Sequence, residues 1–158
     1  MDLLKARELA HNLMKQHGLE LWNFEFNNAK RRFGICRHSL RRIGLSRNLV
    51  LLNTKKRVTN TILHEIAHAL VGPRNGHNWV WREKAIEIGC DGKRCYTTQD
   101  TKIVKRTLIA KCHNCGKEYG RFRITNKKHS CSTCSGSTFN EEYLLVYERS
   151  PQIRQGKL

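Results

Sequence analysis

The chain has 158 residues, of which 39% are apolar, 27% are charged and only 2 are proline. This composition is typical of soluble globular proteins and excludes the fibrous and disordered classes. No apolar run approaches the roughly 18 to 20 residues of a transmembrane helix, and the first eleven residues contain charges that a secretory signal lacks, so we expect a cytoplasmic protein without a membrane partner.

The net charge is strongly positive, because 30 Lys and Arg side chains face 13 Asp and Glu, which gives +17 at pH 7. A field of this sign concentrates polyanions at the protein surface. We therefore expect DNA, single-stranded or double-stranded, to be a partner, which would associate the protein with the nucleoid or the nucleus. The alternative is a surface whose charge serves solubility alone.

The first predicted element is an amphipathic helix over residues 2–17, closed by Gly18, because apolar residues recur there at three- and four-residue spacing. From residue 21 the apolar period shifts towards two. Three strands are predicted, and we interpret them as an antiparallel meander; they cover residues 21–27, 31–38 and 42–45.

Aromatic side chains alternate along the first of these strands, at Trp22, Phe24 and Phe26. Alternate positions lie on one face of a strand, which favours a place in the core. An aromatic platform for stacking bases is the alternative interpretation.

The second predicted helix is apolar on most sides, begins at Thr59 or Asn60 as its cap and stops at Gly72-Pro73. A mostly apolar helix is a buried one, so its polar residues need partners. A third helix is predicted over residues 79–88, followed by a connector over residues 90–110.

The second helix contains the motif His-Glu-Ile-Ala-His at residues 64–68. Histidines four residues apart lie on one helix face, so His64 and His68 can bind one zinc ion. Glu65 then lies beside the ion, where it can take a proton from water and pass it to a leaving amine. The motif predicts a zinc-dependent hydrolase.

A catalytic zinc ion takes three protein ligands and keeps one position open. His77 is the strongest candidate for the third ligand, because it follows a turn and precedes Trp79 and Trp81, which can wall the site. Glu83 and Glu87 are the alternatives.

Two segments, TILHEIAHAL at residues 61–70 and GHNWVW at residues 76–81, resemble the SprT family of zinc metalloproteases. In that family a helical HExxH motif is followed by Gly-His and an aromatic residue. Upstream residues are similar to the strands that precede the family's metal helix; they are residues 22–30, 34–36 and 43–46.

This resemblance implies an α+β, zincin-like metalloprotease fold in which a helix and a small antiparallel sheet precede the metal helix. It implies that His64, His68 and His77 are zinc ligands and that Glu65 is the catalytic base. It also suggests proteins bound or crosslinked to DNA as substrates.

A second metal motif consists of two CxxC pairs separated by fifteen residues: Cys112, Cys115, Cys131 and Cys134. This spacing directs four thiolates to one structural zinc ion, as in a zinc ribbon. The other three thiols, Cys36, Cys90 and Cys95, we interpret as buried or incidental.

Basic residues accompany the cysteine pairs and offer contacts to DNA phosphates: Lys111, Lys117, Arg121, Arg123, Lys127 and Lys128. Tyr119 and Phe122 lie among them and can stack on bases. A final strand is predicted over residues 143–147. The alternative role for this ribbon is a solvated brace on the protease domain.

Together the motifs predict a metalloprotease domain over residues 1–105 and a basic zinc-ribbon domain over residues 106–158, with one catalytic and one structural Zn²⁺. We expect an extended substrate to pair with a strand near residues 43–46. A non-catalytic, zinc-containing nucleic-acid-binding or regulatory protein is the main alternative, and a zinc hydrolase of small molecules or nucleic acids is another.

Overall fold

The structure is a computed structural model that describes residues 1–97, 99 and 101–150. The chain divides into two compact units, residues 1–104 and residues 105–158. Helices and small sheets combine in the α+β class expected from the sequence. Within the described residues, every helix is too short or too polar to cross a membrane.

The elements of the first unit are α1 (Leu3–Gln16), β1 (Asn23–Asn27), β2 (Gly34–Arg37), a 3-10 turn (His38–Leu40), β3 (Arg42–Ser46), α2 (Arg47–Leu52), α3 (Lys55–Val71) and α4 (Trp79–Glu87). The predicted first helix is confirmed within one residue at each end. Its cap is the Asp2 carboxylate, which accepts hydrogen bonds from the backbone N–H groups of Leu4 and Lys5.

The sheet of the first unit has the strand order β1-β3-β2, with β1 parallel and β2 antiparallel to β3. The predicted antiparallel meander is therefore wrong, since β2 lies at an edge and β3 in the centre. The reason is burial: residues 43–46 are buried on both faces of β3, which suits a central strand. The expectation that residues 43–46 pair with a substrate is also wrong, because both edges of β3 are already paired.

The aromatic residues of β1, and Trp22 directly before it, pack as core rather than as an open platform. Phe24 is buried, and Trp22 and Phe26 are partly buried against the same core. The carboxylate of Glu25 faces the other way and joins the strands, accepting hydrogen bonds from Arg37 at 3.0 Å and Arg42 at 2.8 Å.

Helix α2 was not anticipated from the sequence, because four successive apolar residues carry no helical period. Leu49 and Val50 are buried, whereas Leu51 and Leu52 are exposed. The buried amide of Asn53 follows this helix and hydrogen-bonds both backbone groups of Lys102 at 2.8 Å, which attaches the connector to the core.

Helix α3 begins at Lys55 with Thr54 as its cap, so the predicted caps Thr59 and Asn60 are wrong. The first turn is polar and exposed, and the apolar pattern that predicted the helix starts only after it. The helix ends as expected at Gly72, whose φ of 82° is a left-handed conformation that favours glycine.

Two faces of α3 are buried against different partners. Ile62 and Ile66 belong to the main core with α1 and the sheet, and Leu63 and Ala67 pack with Trp81 on α4. Helix α4 matches the third predicted helix within one residue, and its cap is the Asn78 side chain. The double burial of α3 holds the HExxH segment in a fixed position.

The second unit contains an antiparallel sheet of order β5-β4-β6, formed by β4 (Leu108–Lys111), β5 (Glu118–Arg121) and β6 (Glu148–Arg149). The predicted strand over residues 143–147 is wrong. A 3-10 turn occupies Glu141–Tyr143, and Leu144 forms a single bridge with Ser130. Strand β4 lies in the segment that we had predicted as connector.

Candidate metal centres

Three histidine side chains converge on one point in the first unit. The Nε2 atom of His77 lies 3.0 Å from Nε2 of His64 and 3.1 Å from Nε2 of His68. Ligand nitrogens around a tetrahedral zinc ion are separated by about 3.3 Å when the metal–nitrogen distance is about 2.0 to 2.1 Å. The donor set and the spacing therefore fit a three-histidine zinc site with one open position.

The local sequence explains how a loop histidine reaches the helix. Helix α3 stops at Gly72, and the Asn75 side chain donates to the backbone carbonyl of Val71 at 2.5 Å. Gly76 turns the chain with a φ of 46°. Asn78 then caps α4, so His77 is fixed between a turn and a helix start.

Trp81 forms the floor of the histidine group and is only 1% exposed. Its ring centroid lies 4.6 Å from that of His64, 5.2 Å from that of His68 and 4.6 Å from that of His77. The expectation that Trp81 walls the site is confirmed. Trp79, which we expected to do the same, is 71% exposed and does not join the group.

The imidazoles are neutral at pH 7 in the absence of a metal ion. Burial, helped by the charges of His77 and Arg57, lowers the pKa of His64 to about 4. Burial and the neighbouring histidines lower the pKa of His68 to about 3, and burial with Arg94 lowers the pKa of His77. Neutral imidazole is the form that binds metal ions.

Glu65 is buried beside the histidines, 6% exposed. Burial raises the pKa of its carboxyl to about 8, against the opposing effects of the Arg32 charge and a hydrogen bond from the backbone N–H of Cys36. A divalent cation at the histidines would favour the ionised carboxylate. The pKa of the Glu65 carboxyl therefore lies near neutral pH, the range that suits a group that accepts and releases protons.

Gly34 on β2 leaves the space that the Glu65 carboxylate occupies. A Cβ atom at residue 34 would meet Oε1 and would lie 2.7 Å from Cγ and 2.8 Å from Cδ of Glu65. Real Cβ contacts are essentially never this short. This role could not be predicted from local patterns, because Gly34 lies thirty-one positions from the residue that it accommodates.

The histidines and Glu65 line an open cleft of about 570 Å³. Its walls come from the segment that leads into β2, from α3, and from residues 93–96 after α4. The Tyr96 hydroxyl donates to the carbonyl of Arg31 at 2.5 Å and joins two of these walls. The space suits a ligand that lies across the histidine group.

The alternative third ligands do not join the histidine group: Glu83 is exposed and Glu87 forms an ion pair with Lys84. Of the remaining thiols, Cys90 is buried, Cys36 is half-buried beside Glu65, and Cys95 is exposed. Within the described residues, none of these three thiols belongs to a group able to hold a metal ion.

Four cysteines form the second candidate metal centre, in the second unit. The sulfur of Cys112 lies 3.8 Å from that of Cys134, and the sulfurs of Cys115 and Cys131 are 3.5 Å apart. Sulfurs around a tetrahedral zinc ion are about 3.8 Å apart for a metal–sulfur distance of about 2.3 Å. These distances fit the structural zinc site that the spacing predicts.

Two polar side chains support the cysteine sulfurs. The Tyr119 hydroxyl lies 3.1 Å from the sulfur of Cys131, and the Asn114 amide donates to the sulfur of Cys134 at 3.4 Å. Hydrogen bonds to ligand sulfurs orient them and stabilise their thiolate form. Tyr119 therefore serves the cysteine group, where we had expected a base-stacking residue.

The six basic residues expected to contact DNA separate into two sets. Four of them line one groove of about 230 Å³: Arg121, Arg123, Lys127 and Lys128. Lys111 and Lys117 do not line it, and Lys117 donates to the Thr133 hydroxyl at 2.9 Å. Within the groove, Lys128 forms an ion pair with Glu141 at 2.8 Å.

We predict that each candidate centre binds one zinc ion independently. The His68→Ala variant should retain about one ion per chain because the cysteine group is intact, and Cys131→Ser should retain about one because the histidines are intact. Elemental analysis of dialysed protein measures this, with Glu83→Gln as the control that keeps two. Loss of both ions from either single variant would contradict independent sites.

The comparisons with known proteins agree with the geometry of the first unit. The model of the SprT-like family matches residues 5–102, which is more than half of the chain. No curated protein matches the chain significantly. The matched region includes the histidine group, Glu65 and β2, and on this basis the chain belongs to the SprT-like family.

Proposed function

We propose that the protein is a zinc-dependent endopeptidase. The observation that carries this proposal is the buried carboxylate of Glu65 beside three converging imidazoles in an open cleft. A zinc ion that only supported a fold would be closed by four protein ligands, as in the cysteine group. The histidine group has three, and the cleft gives it access to solvent.

When bound, zinc polarises a peptide carbonyl and increases the acidity of water. Glu65 accepts the proton of the attacking water and delivers it to the amine that leaves. The backbone N–H of Cys36 orients the carboxylate, and the Arg32 charge favours its ionised form. Trp81 holds the imidazoles in place, so the site needs little rearrangement during the reaction.

Strand β2 supplies the edge on which an extended substrate can lie. The backbone N–H of Ser46 donates to the carbonyl of Phe33. In an antiparallel pair, every second residue directs its main-chain N–H and C=O groups to the partner strand, so the groups of Ile35 and Arg37 point towards β3. The main-chain groups of Gly34 and Cys36 then point away from β3. The Cys36 N–H is used by Glu65, so the groups offered to a substrate are the two carbonyls and the Gly34 N–H. Main-chain pairing at this edge would bind peptides with little dependence on their sequence.

For the second unit we propose binding to DNA, with proteins held on DNA as substrates. Arg121, Arg123, Lys127 and Lys128 around one groove offer a set of phosphate contacts. Binding both the enzyme and its substrate to one strand raises their effective concentration, which adds to the affinity of the cleft for a peptide. The net charge of +17 favours this arrangement.

We predict that Glu65→Gln abolishes proteolysis and leaves both zinc ions bound, because the amide cannot take up the proton. The expected loss is at least about a hundredfold. Zinc-loaded protein is incubated with and without single-stranded DNA, and fragments of the chain and of an added unfolded protein are followed on denaturing gels.

Glu83→Gln is the matched control for this experiment, since it makes the same change on an exposed position of α4. Equal cleavage by Glu65→Gln would remove this residue from the mechanism. If the wild-type protein with both zinc ions bound cleaves no substrate, a non-catalytic nucleic-acid-binding function explains the data better than the peptidase function.

We predict that Gly34→Ala lowers activity about tenfold or more while zinc content stays unchanged. The added methyl group displaces the Glu65 carboxylate, and small misplacements of reacting groups have large costs. Tryptophan fluorescence during urea unfolding provides the folding control, since Trp22, Trp79 and Trp81 all lie in the first unit. Full activity in a zinc-loaded Gly34→Ala variant would contradict the role assigned to this glycine.

We predict that affinity for single-stranded DNA falls steeply with salt. With the four proposed phosphate contacts, the log–log slope is about −3, which is about a 50-fold loss between about 50 and 200 mM salt. Arg123→Ala should reduce the slope more than Lys128→Ala, because Lys128 is already paired with Glu141. Fluorescence anisotropy measures the slope, and a flat salt dependence would contradict an electrostatic interface.

A further inference from the structure

The charged side chains that line the cleft around the histidine group are all basic, with the exception of Glu65. Five basic residues line it: Arg31, Arg32, Arg57, Lys93 and Arg94. Among the described residues that line it, Glu65 is the only carboxylate. A cleft with walls of one sign focuses its field on whatever lies inside, so this cleft favours negatively charged groups.

Three of these residues have contacts of their own in the first unit: Arg57 through its guanidinium, Arg31 through its backbone carbonyl and Lys93 through a neighbouring carboxylate. The guanidinium of Arg57 donates to the Thr61 hydroxyl at 3.2 Å and lies 6.0 Å from the Tyr96 ring centroid. The carbonyl of Arg31 accepts the hydrogen bond from Tyr96. Lys93 is close enough to Asp91 for its charge to lower the pKa of that carboxyl.

Arg32 and Arg94 differ from these three. Both are exposed, and within the described part of the chain neither forms an ion pair. They come from different walls, since Arg32 precedes β2 and Arg94 follows α4. Each lies near the reacting groups, because the charge of Arg32 acts on Glu65 and that of Arg94 acts on His77.

We propose that Arg32 and Arg94 are specificity-determining residues that bind acidic side chains of the substrate, so that the cleft selects acidic peptide segments. This inference rests on the proposed peptidase function and names its substrate class. Guanidinium groups suit the partner, because their planar donors match a carboxylate. An extended peptide on the edge of β2 brings alternate side chains to the same wall.

A peptide suits this cleft better than a nucleic-acid strand does. The arginines lie in the same cleft as the histidines and Glu65, so their ligand is bound together with the reacting bond. The neighbouring edge of β2 presents the carbonyls of Gly34 and Cys36 beside the Gly34 N–H. A peptide backbone can pair with carbonyls and N–H groups alike, whereas phosphates only accept hydrogen bonds. Phosphate contacts are available on the second unit instead.

The test measures binding separately from cleavage. Three series of labelled peptides share one sequence and differ at a single scanned position, which carries an acid (Asp or Glu), an amide (Asn or Gln) or Lys. Each peptide is titrated into the zinc-loaded, full-length Glu65→Gln protein at about 150 mM salt. Fluorescence anisotropy gives the affinities. Each exposed carboxylate–guanidinium pair should tighten binding about two- to fivefold relative to the amide peptide.

Charge-reversal variants locate the effect. Arg32→Glu and Arg94→Glu, each added to the Glu65→Gln protein, should lower the ratio of acidic to amide affinity below one. Arg47→Glu is the matched control, because Arg47 is exposed on α2, does not line the cleft and changes the net charge equally. The control should keep the preference for acidic peptides.

Equal affinities for acidic and amide peptides would overturn the proposal. The proposal would also fail if Arg47→Glu reduced the preference for acidic peptides as much as the two cleft variants do, because the effect would then come from the long-range field of the protein. A third result against the proposal would be that Arg32→Glu and Arg94→Glu weaken the binding of a single-stranded oligonucleotide and leave the binding of acidic peptides unchanged. Wild-type protein that binds acidic peptides selectively without cleaving any peptide would contradict the peptidase function and leave the binding inference standing.

Discussion

The burial of α3 on two sides is the constraint on which the rest of the first unit depends. A helix that packs against a sheet with one face and against α4 with another leaves only one side of its middle turns open to solvent. Polar side chains in such a helix are costly unless they have partners. The HExxH segment places His64, Glu65 and His68 in those turns, so the surrounding residues are arranged to satisfy them.

Glu65 and the two histidines of this segment are held by neighbours from other elements. Glu65 receives the backbone N–H of Cys36 and the space left by Gly34, both on β2. The histidines pack on Trp81, whose indole N–H is itself buried without a hydrogen-bond partner in the described chain. An unsatisfied buried donor is unfavourable by about 1–3 kcal/mol. The contribution of Trp81 to the site is therefore the packing of its ring against the imidazoles and not a hydrogen bond of its indole N–H.

The features predicted correctly from the sequence are those that depend on the spacing of neighbouring residues. Helices α1 and α4, the stop at Gly72, the histidine group and the cysteine group all follow from periodicity, caps or fixed ligand intervals. Strand order did not, because period-two patterns show which residues share a face and not which strand is central. The clue was the continuous burial of residues 43–46, which a central strand requires.

The parts of the site that sequence reasoning missed are those fixed by contacts distant along the chain. Gly34 matters through a side chain on another element, and Tyr119 acts on a cysteine twelve positions away. Helix α2 was missed for a different reason, since it is short and capped by Ser46, which also donates to the carbonyl of Ala29. The position of Ser46 at the end of β3 therefore did not identify it as a helix cap.

Charge serves the two units in different ways. Four thiolates with one Zn²⁺ contribute −2 and the histidine centre with Zn²⁺ contributes +2, so metal binding leaves the net charge near +17. The overall field is therefore a long-range, salt-sensitive attraction that cannot distinguish one polyanion from another. Selectivity at the reacting bond requires charges inside the cleft. On the function proposed above, Arg32 and Arg94, which line the cleft with the histidines, supply that selectivity, and the basic groove of the second unit, formed by other residues, holds a DNA strand without reading its sequence.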